Sequence, residues 1–153
     1  MVARAWIDGG ARGNPGEAGF GVVFEIPGAG GAETVEIYGY LGRATNNVAE
    51  YAALIAALAF AARRGLAELI LHSDSELLVR QLAGRYKVKA PHLRRLHERA
   101  LRMRRAIPRL ELRHVRREGN RDADRLVNRA IDERSPPPDW LAAQLELDDD
   151  RTG

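Results

Sequence analysis

Four acidic residues fall where an apolar, strand-like run ends or a helix-like run begins: Asp8 in DGGARGNPG, Glu50 in RATNNVAEY, Asp74 in HSDSELL and Asp124 in NRDADRL. If those four ends meet in space, they offer only hard, anionic oxygen donors, the set preferred by cations such as Mg²⁺ or Mn²⁺. Carboxylates held together need cations to offset their repulsion. Two such ions about 3.5–4 Å apart can activate water on one side of a phosphodiester and stabilise the leaving oxygen on the other, which calls for acids from several elements. Each acid alone also has a structural explanation. Glu50 stands three residues after Asn47, the spacing of a capping box, Asp74 could cap a helix starting at Ser75, and Asp122 and Asp124 suit a first helical turn. Asp8 is different, because an acid closing an apolar strand has no cap to make.

The elements that would position these acids can be read from periodicity. Apolar, β-branched and aromatic residues cluster at 3–8, 19–26 and 34–41, separated by glycine-rich GGARGNPGEAG and PGAGGAE, which predicts three antiparallel strands. An alanine-rich helix over 47–64 carries Val48, Ala52, Ile55, Ala59 and Ala62 at three- and four-residue steps and ends at Arg63, Arg64 and Gly65. A short strand at 68–73, a helix over 75–85 and a helix opened by Pro91 and stopped by Pro108 follow. A strand at 110–115 and a helix capped by Asn120, with Leu126, Val127, Ala130 and Ile131 inward, complete the order βββαβααβα. This is an α/β pattern, with a five-stranded mixed sheet flanked by helices. Sites in such sheets gather at the carboxyl ends of parallel strands, where Asp8 and Asp74 are expected.

At 153 residues the chain suits one domain with a full core. It has no cysteine, so disulfides and thiolate metal sites are excluded. Neither a membrane-length apolar run nor a signal-peptide pattern occurs, and a cytoplasmic protein is expected. The net charge is only +3, yet basic residues outnumber acids between Arg80 and Arg134, and all are arginine except Lys87 and Lys89. A basic face suits a phosphate polymer.

DGGARGNPG, GRATNNVAEY, DSELLVRQLAGRYKVK and EGNRDADRLVNRA, in this order and at these separations, resemble the four signature blocks of ribonuclease H type 1 over about residues 1–133. The resemblance implies the ribonuclease H fold and hydrolysis of the RNA strand of an RNA–DNA hybrid with two Mg²⁺ or Mn²⁺ ions. It makes Asp8, Glu50, Asp74 and Asp124 the metal ligands. Asp8 would bridge both ions, with Glu50 and Asp74 on one and Asp124 on the other. It also implies a catalytic domain over 1–134 and a tail over 135–153, partly docked or disordered, with Trp140, Leu141 and Leu145 available for docking.

A protein distinguishes RNA from DNA by its 2′-hydroxyls, which backbone groups and amide side chains can read across a shallow minor groove. By resemblance that role falls to the loop from Gly10 to Asn14 and to Asn46 and Asn47. Arg43 and Thr45 match positions that hold a DNA phosphate, and Tyr86, flanked by Arg85, Lys87 and Lys89, matches an aromatic lining the DNA-strand channel. Two departures stand out. The basic protrusion of many relatives is missing, since Pro91 follows Lys89 almost at once, so this resembles the compact variety and affinity would rest on Arg94, Arg95, Arg99 and Arg102. In addition, Glu118 occupies the place of a proton-shuttling histidine, where it could attract a metal ion or accept a proton. No N-terminal hybrid-binding module and no protein partner are expected, and a monomer is the expectation. The alternatives are a broader nuclease that also cuts double-stranded RNA, and a hybrid-binding module without catalysis.

Overall fold

The computed structural model describes residues 1–85 and 87–145. Its sheet has the order β3-β2-β1-β4-β5, built from β1 (Ala3–Gly13), β2 (Gly16–Ile26), β3 (Glu33–Ala44), β4 (Glu68–Ser73) and β5 (Arg109–His114). The first three strands form an antiparallel meander, while β4 runs parallel to β1 and β5 parallel to β4. The helices are α1 (Asn46–Arg64), α2 (Glu76–Leu82), α3 (Pro91–Met103), α4 (Arg121–Glu133) and the short α5 (Asp139–Ala142). The expected order of elements and the mixed five-stranded sheet are both present.

The first three strands run further than their apolar clusters predict. Gly9 to Gly13 and Gly16 to Ala18 continue the β1–β2 ladder, so the glycine-rich segment is mostly paired strand and only Asn14 and Pro15, joined by a cis peptide, make the turn. The loop expected from Gly10 to Asn14 is thus a hairpin arm. Gly9 and Gly19 in this glycine-rich stretch, which read as loop punctuation, sit where helices press against the strands.

Helix α1 is covered almost all round. Every residue from Val48 to Ala61 is buried except Glu50, which is half-buried. The stripe read from Val48, Ala52, Ile55, Ala59 and Ala62 is buried except at Ala62, and is only part of the apolar surface, because the sheet covers one side and α3 the other; such a helix belongs inside a core. Its N-cap is Thr45, whose Oγ1 accepts from the Val48 N–H at 3.2 Å, and its C-cap is Gly65 at φ 66°. The opposite sheet face carries α4, which buries Ala123, Leu126, Val127, Ala130 and Ile131.

After α4 the described part of the tail packs back on the domain. The Tyr40 N–H donates to Ser135 O at 2.6 Å, and Leu141 and Leu145 are buried. Trp140 lies near Phe60, with the Arg63 guanidinium over its ring at 5.0 Å. Glu146 and Asp148 to Asp150 lie outside the described residues, as does Tyr86. Among the described residues, no helix is long and apolar enough to cross a membrane.

Candidate active site

Asp8 lies on β1, the central strand, just beyond its pairing with β4, and is only 8% exposed. Asp74 follows the end of β4. There the Ser75 N–H donates to Ser73 Oγ at 3.0 Å, and Ser75, not Asp74, caps α2 by accepting from the Leu78 N–H. The Asp74 carboxylate is therefore not used as a cap. Glu50 makes no capping box either, because Thr45 caps α1; its Oε1 accepts instead from the Gly9 N–H at 2.7 Å. Carboxylate oxygens of Asp8, Glu50 and Asp74 come within 4.8 Å of one another, an acidic triad able to hold a metal ion.

Asp124, in the first turn of α4, joins from the other side. It stands close enough to Asp8 to help push the Asp8 carboxyl up, and it lines the same cavity of about 610 Å³. Burial, followed by the charges of Glu50, Asp74 and Asp124, pushes the Asp8 carboxyl up to about 9. Burial likewise raises Glu50 to about 7, against the opposing pull of the Gly9 N–H and Ser75. Four acids under this mutual repulsion, offering only oxygen donors, fit hard divalent cations, which would restore the ionised forms.

The cavity is also lined by Gly10, Ala11, Arg12, Asn46, Asn47, Arg117 and Asn128. Asn46 ties the hairpin arm to the start of α1: its Oδ1 accepts from the Ala11 N–H at 2.8 Å, and its own N–H donates to Asn14 Oδ1 at 3.0 Å. Gly10, Asn14, Asn46 and Asn47 are thereby gathered at one rim. Thr45 sits beside them with its hydroxyl engaged in the cap, and Arg43 is exposed on β3 opposite Glu17. Arg94 and Arg99 on α3 are engaged within the chain, bonding the carbonyls of Val88, Lys89 and Gln144.

Glu118 is not brought into the carboxylate cavity. The 3₁₀ turn Arg117–Asn120 turns it toward a separate space of about 380 Å³ shared with Trp6, Val23 and Glu25, and Arg117 lines the acidic cavity in its place. Glu118, adjacent to Arg117, thus lines a different space from the four carboxylates.

Sequence reasoning passed over Gly9, Arg117 and Asn128, and took Arg12 only as part of the loop from Gly10 to Asn14. Arg12 bridges from the hairpin arm to α4, donating to Asp132 Oδ1 at 2.7 Å and Asn128 Oδ1 at 3.1 Å. Asn128 in turn donates to the Asp124 carbonyl at 3.1 Å; its place one helical turn after Asp124 was a usable signal. The same holds for Arg12, two residues after Gly10, once the arm is known to be strand. Gly9 and Arg117 had no comparable sequence signal.

A mixed sheet with an acidic triad drawn from the middle of β1, the start of α1 and the end of β4 defines an α/β protein able to hold metal ions. The family described as reverse transcriptase-like matches residues 7–130. The bifunctional protein Rv2228c of Mycobacterium tuberculosis is 45% identical over 125 residues, 82% of this chain, which spans only 34% of that relative's length. The crystal structure of RNase H1 from the halophilic archaeon Halobacterium salinarum is 42% identical, with a TM-score of 0.80, covering 87% of this chain and 99% of its own. That of LC11-RNase H1 in complex with RNA/DNA hybrid is 43% identical, with a TM-score of 0.78 over 86% of this chain and 97% of its own. The chain belongs to the type 1 ribonuclease H family.

Proposed function

We propose that this protein is an endoribonuclease that hydrolyses the RNA strand of RNA–DNA hybrids, giving 3′-hydroxyl and 5′-phosphate ends, with two Mg²⁺ or Mn²⁺ ions. The observation that carries this reading is the convergence of Asp8, Glu50 and Asp74 oxygens within 4.8 Å, with Asp124 against Asp8. Asp8, central to the cluster, would be shared between the ions, with Glu50 and Asp74 to hold one and Asp124 to hold the other. When bound, the ions would supply Lewis-acid activation of water and neutralise charge at the phosphate.

The remaining groups bind and orient. The Gly9 N–H fixes the Glu50 carboxylate, and the Asn128 amide steadies the backbone at Asp124. Arg117, on the cavity wall, offers a fixed cation to a phosphate oxygen. Gly10, Asn14, Asn46 and Asn47 present backbone and amide groups along one rim, suited to reading 2′-hydroxyls in a minor groove. Arg43 and Thr45 lie beyond that rim for a DNA phosphate, with Tyr86 as an aromatic contact for the same strand. Relatedness to LC11-RNase H1, seen with a hybrid, supports this partner. We take the protein to act as a cytoplasmic monomer.

The experiment is a labelled-substrate comparison. Hybrid should be cut with Mg²⁺ and spared with EDTA, and Asp124→Asn should be nearly inactive. Matched RNA and DNA duplexes should be cut poorly. Equal cutting of double-stranded RNA would broaden the substrate class, and hybrid binding without any metal-dependent cutting would overturn the enzyme reading.

A further inference from the structure

Asp8 has a glycine on each side in the sheet: Gly9 follows it in β1, and Gly21 lies directly opposite it on β2. The two glycines face opposite sides, and each meets a helix that carries another carboxylate. A Cβ at Gly9 would lie 2.1 Å from Ala49 O and 2.5 Å from the Glu50 N in α1. A Cβ at Gly21 would lie 2.5 Å from Ala123 O and 2.7 Å from Leu126 Cβ in α4. Ordinary contacts between such atoms are roughly 3.5–4.0 Å, so even one methyl group would require either helix to retreat. Neither glycine has a positive φ, so close approach rather than backbone conformation is what each position requires.

Both backbone contacts fall on or next to a carboxylate-bearing residue. Ala49 O and the Glu50 N bracket the link into Glu50, and Ala123 precedes Asp124. A second tie holds the start of α4 to the same strand: Asn120, 1% exposed, donates from Nδ2 to the carbonyl of Ile7, the residue before Asp8, at 2.8 Å.

We infer that Gly9 and Gly21 are positioning residues for the metal site: by lacking a side chain, Gly9 sets how near Glu50 comes to Asp8, and Gly21 sets how near Asp124 comes. The inference rests on the two-ion reading above and deepens it. It assigns the spacing of the ligands to two backbone contacts rather than to the ligands' own side chains. Metal sites depend on such supporting groups, whose loss typically costs about 10- to 100-fold in affinity.

The test is calorimetric titration with Mn²⁺ of wild type, Gly9→Ala, Gly21→Ala and Gly39→Ala, with metal-free melting curves for each. Gly39→Ala is the control: its Cβ would meet Phe20 and Pro137 at 2.8 Å, also well inside ordinary contact distance but outside the carboxylate cavity. Gly9→Ala and Gly21→Ala should bind Mn²⁺ about 10- to 100-fold more weakly. Gly39→Ala should melt earlier without metal yet keep its affinity. Adding Leu126→Gly to Gly21→Ala removes the Leu126 Cβ that makes one of the two close contacts and should restore part of the affinity; this double variant, compared with Leu126→Gly alone, carries the test if the single one does not fold. Wild-type affinity in Gly9→Ala and Gly21→Ala, or an equal loss in Gly39→Ala, would overturn the inference. Failure of wild type to bind Mn²⁺ would remove the metal reading, and the inference with it.

Discussion

The backbone N–H of Gly9 donates to Glu50 Oε1 at 2.7 Å, so the residue after one carboxylate holds the carboxylate of another element in place. This bond joins the central strand to the second turn of α1, and it settles which structural alternative Glu50 satisfies. The acid faces the strand end and makes no capping box.

Removing one charge from the cluster should stabilise the metal-free fold. Asp8→Asn eliminates the most crowded carboxylate, whose neighbours and burial all oppose its ionised form. Its metal-free melting temperature at neutral pH should rise by several degrees, while the stabilisation that millimolar Mg²⁺ gives wild type should largely vanish. Thermal melts with and without Mg²⁺ check both halves. An undiminished Mg²⁺ effect in the variant would count against the cluster as the binding site.

The pH dependence has a definite sign. Asp8 rises from 3.8 to about 9 and Glu50 from 4.5 to about 7, so the folded chain keeps protons that the unfolded chain releases. Their contribution to metal-free stability is full below about pH 4 and is lost as pH rises toward 9. Bound cations compete with those protons, so apparent Mg²⁺ affinity should increase over the same window. Denaturation at several pH values, with and without metal, measures the two slopes. Equal slopes in wild type and Asp8→Asn would contradict the assignment.

Loss of the Asn120 tie should be felt in stability first. Asn120→Ala removes the bond to Ile7 O and leaves a buried carbonyl with one partner fewer, a cost of about 1–3 kcal/mol. Chemical denaturation would measure it. Because the tie fixes the start of α4, affinity for Mn²⁺ should fall as well.

The tail should matter for stability and not for chemistry. Leu141 is fully buried, so Leu141→Ala should cost about 2–5 kcal/mol and leave the hybrid-cleavage rate of the folded enzyme unchanged. A large drop in that rate would mean the tail reaches the substrate.

Substrate selectivity should respond to the amide rim. Asn46→Ala removes the bond from the Ala11 N–H and loosens the hairpin arm, so hybrid KM should rise with a smaller effect on kcat. Steady-state kinetics on hybrid substrate would show the split.

Much of this was legible in the residues themselves. Asp8 and Asp74 could be placed because apolar runs stop at them, and α4 could be placed because Leu126, Val127, Ala130 and Ile131 share a face. What escaped was tertiary. Gly9 looks like a loop signal, and Gly21 like one more residue of an apolar strand, until Ala49 and Ala123 are seen pressed against them. Burial around α1 depends on α3, which local periodicity does not report. The opposite fates of Glu118 and Arg117, adjacent in the chain, follow from one 3₁₀ turn whose direction no spacing rule predicts. Docking of the tail likewise needed Gly39 to make room for Pro137.

The most direct test is an anomalous difference map at the manganese edge, from crystals of Asp74→Asn with bound hybrid and of wild type without it, each soaked in Mn²⁺. The account predicts manganese density at Asp8 in wild type, and in the complex density against Asp8 with the scissile phosphate beside it and Asp124 in contact. Ordered manganese only at sites away from Asp8, Glu50, Asp74 and Asp124 would contradict it.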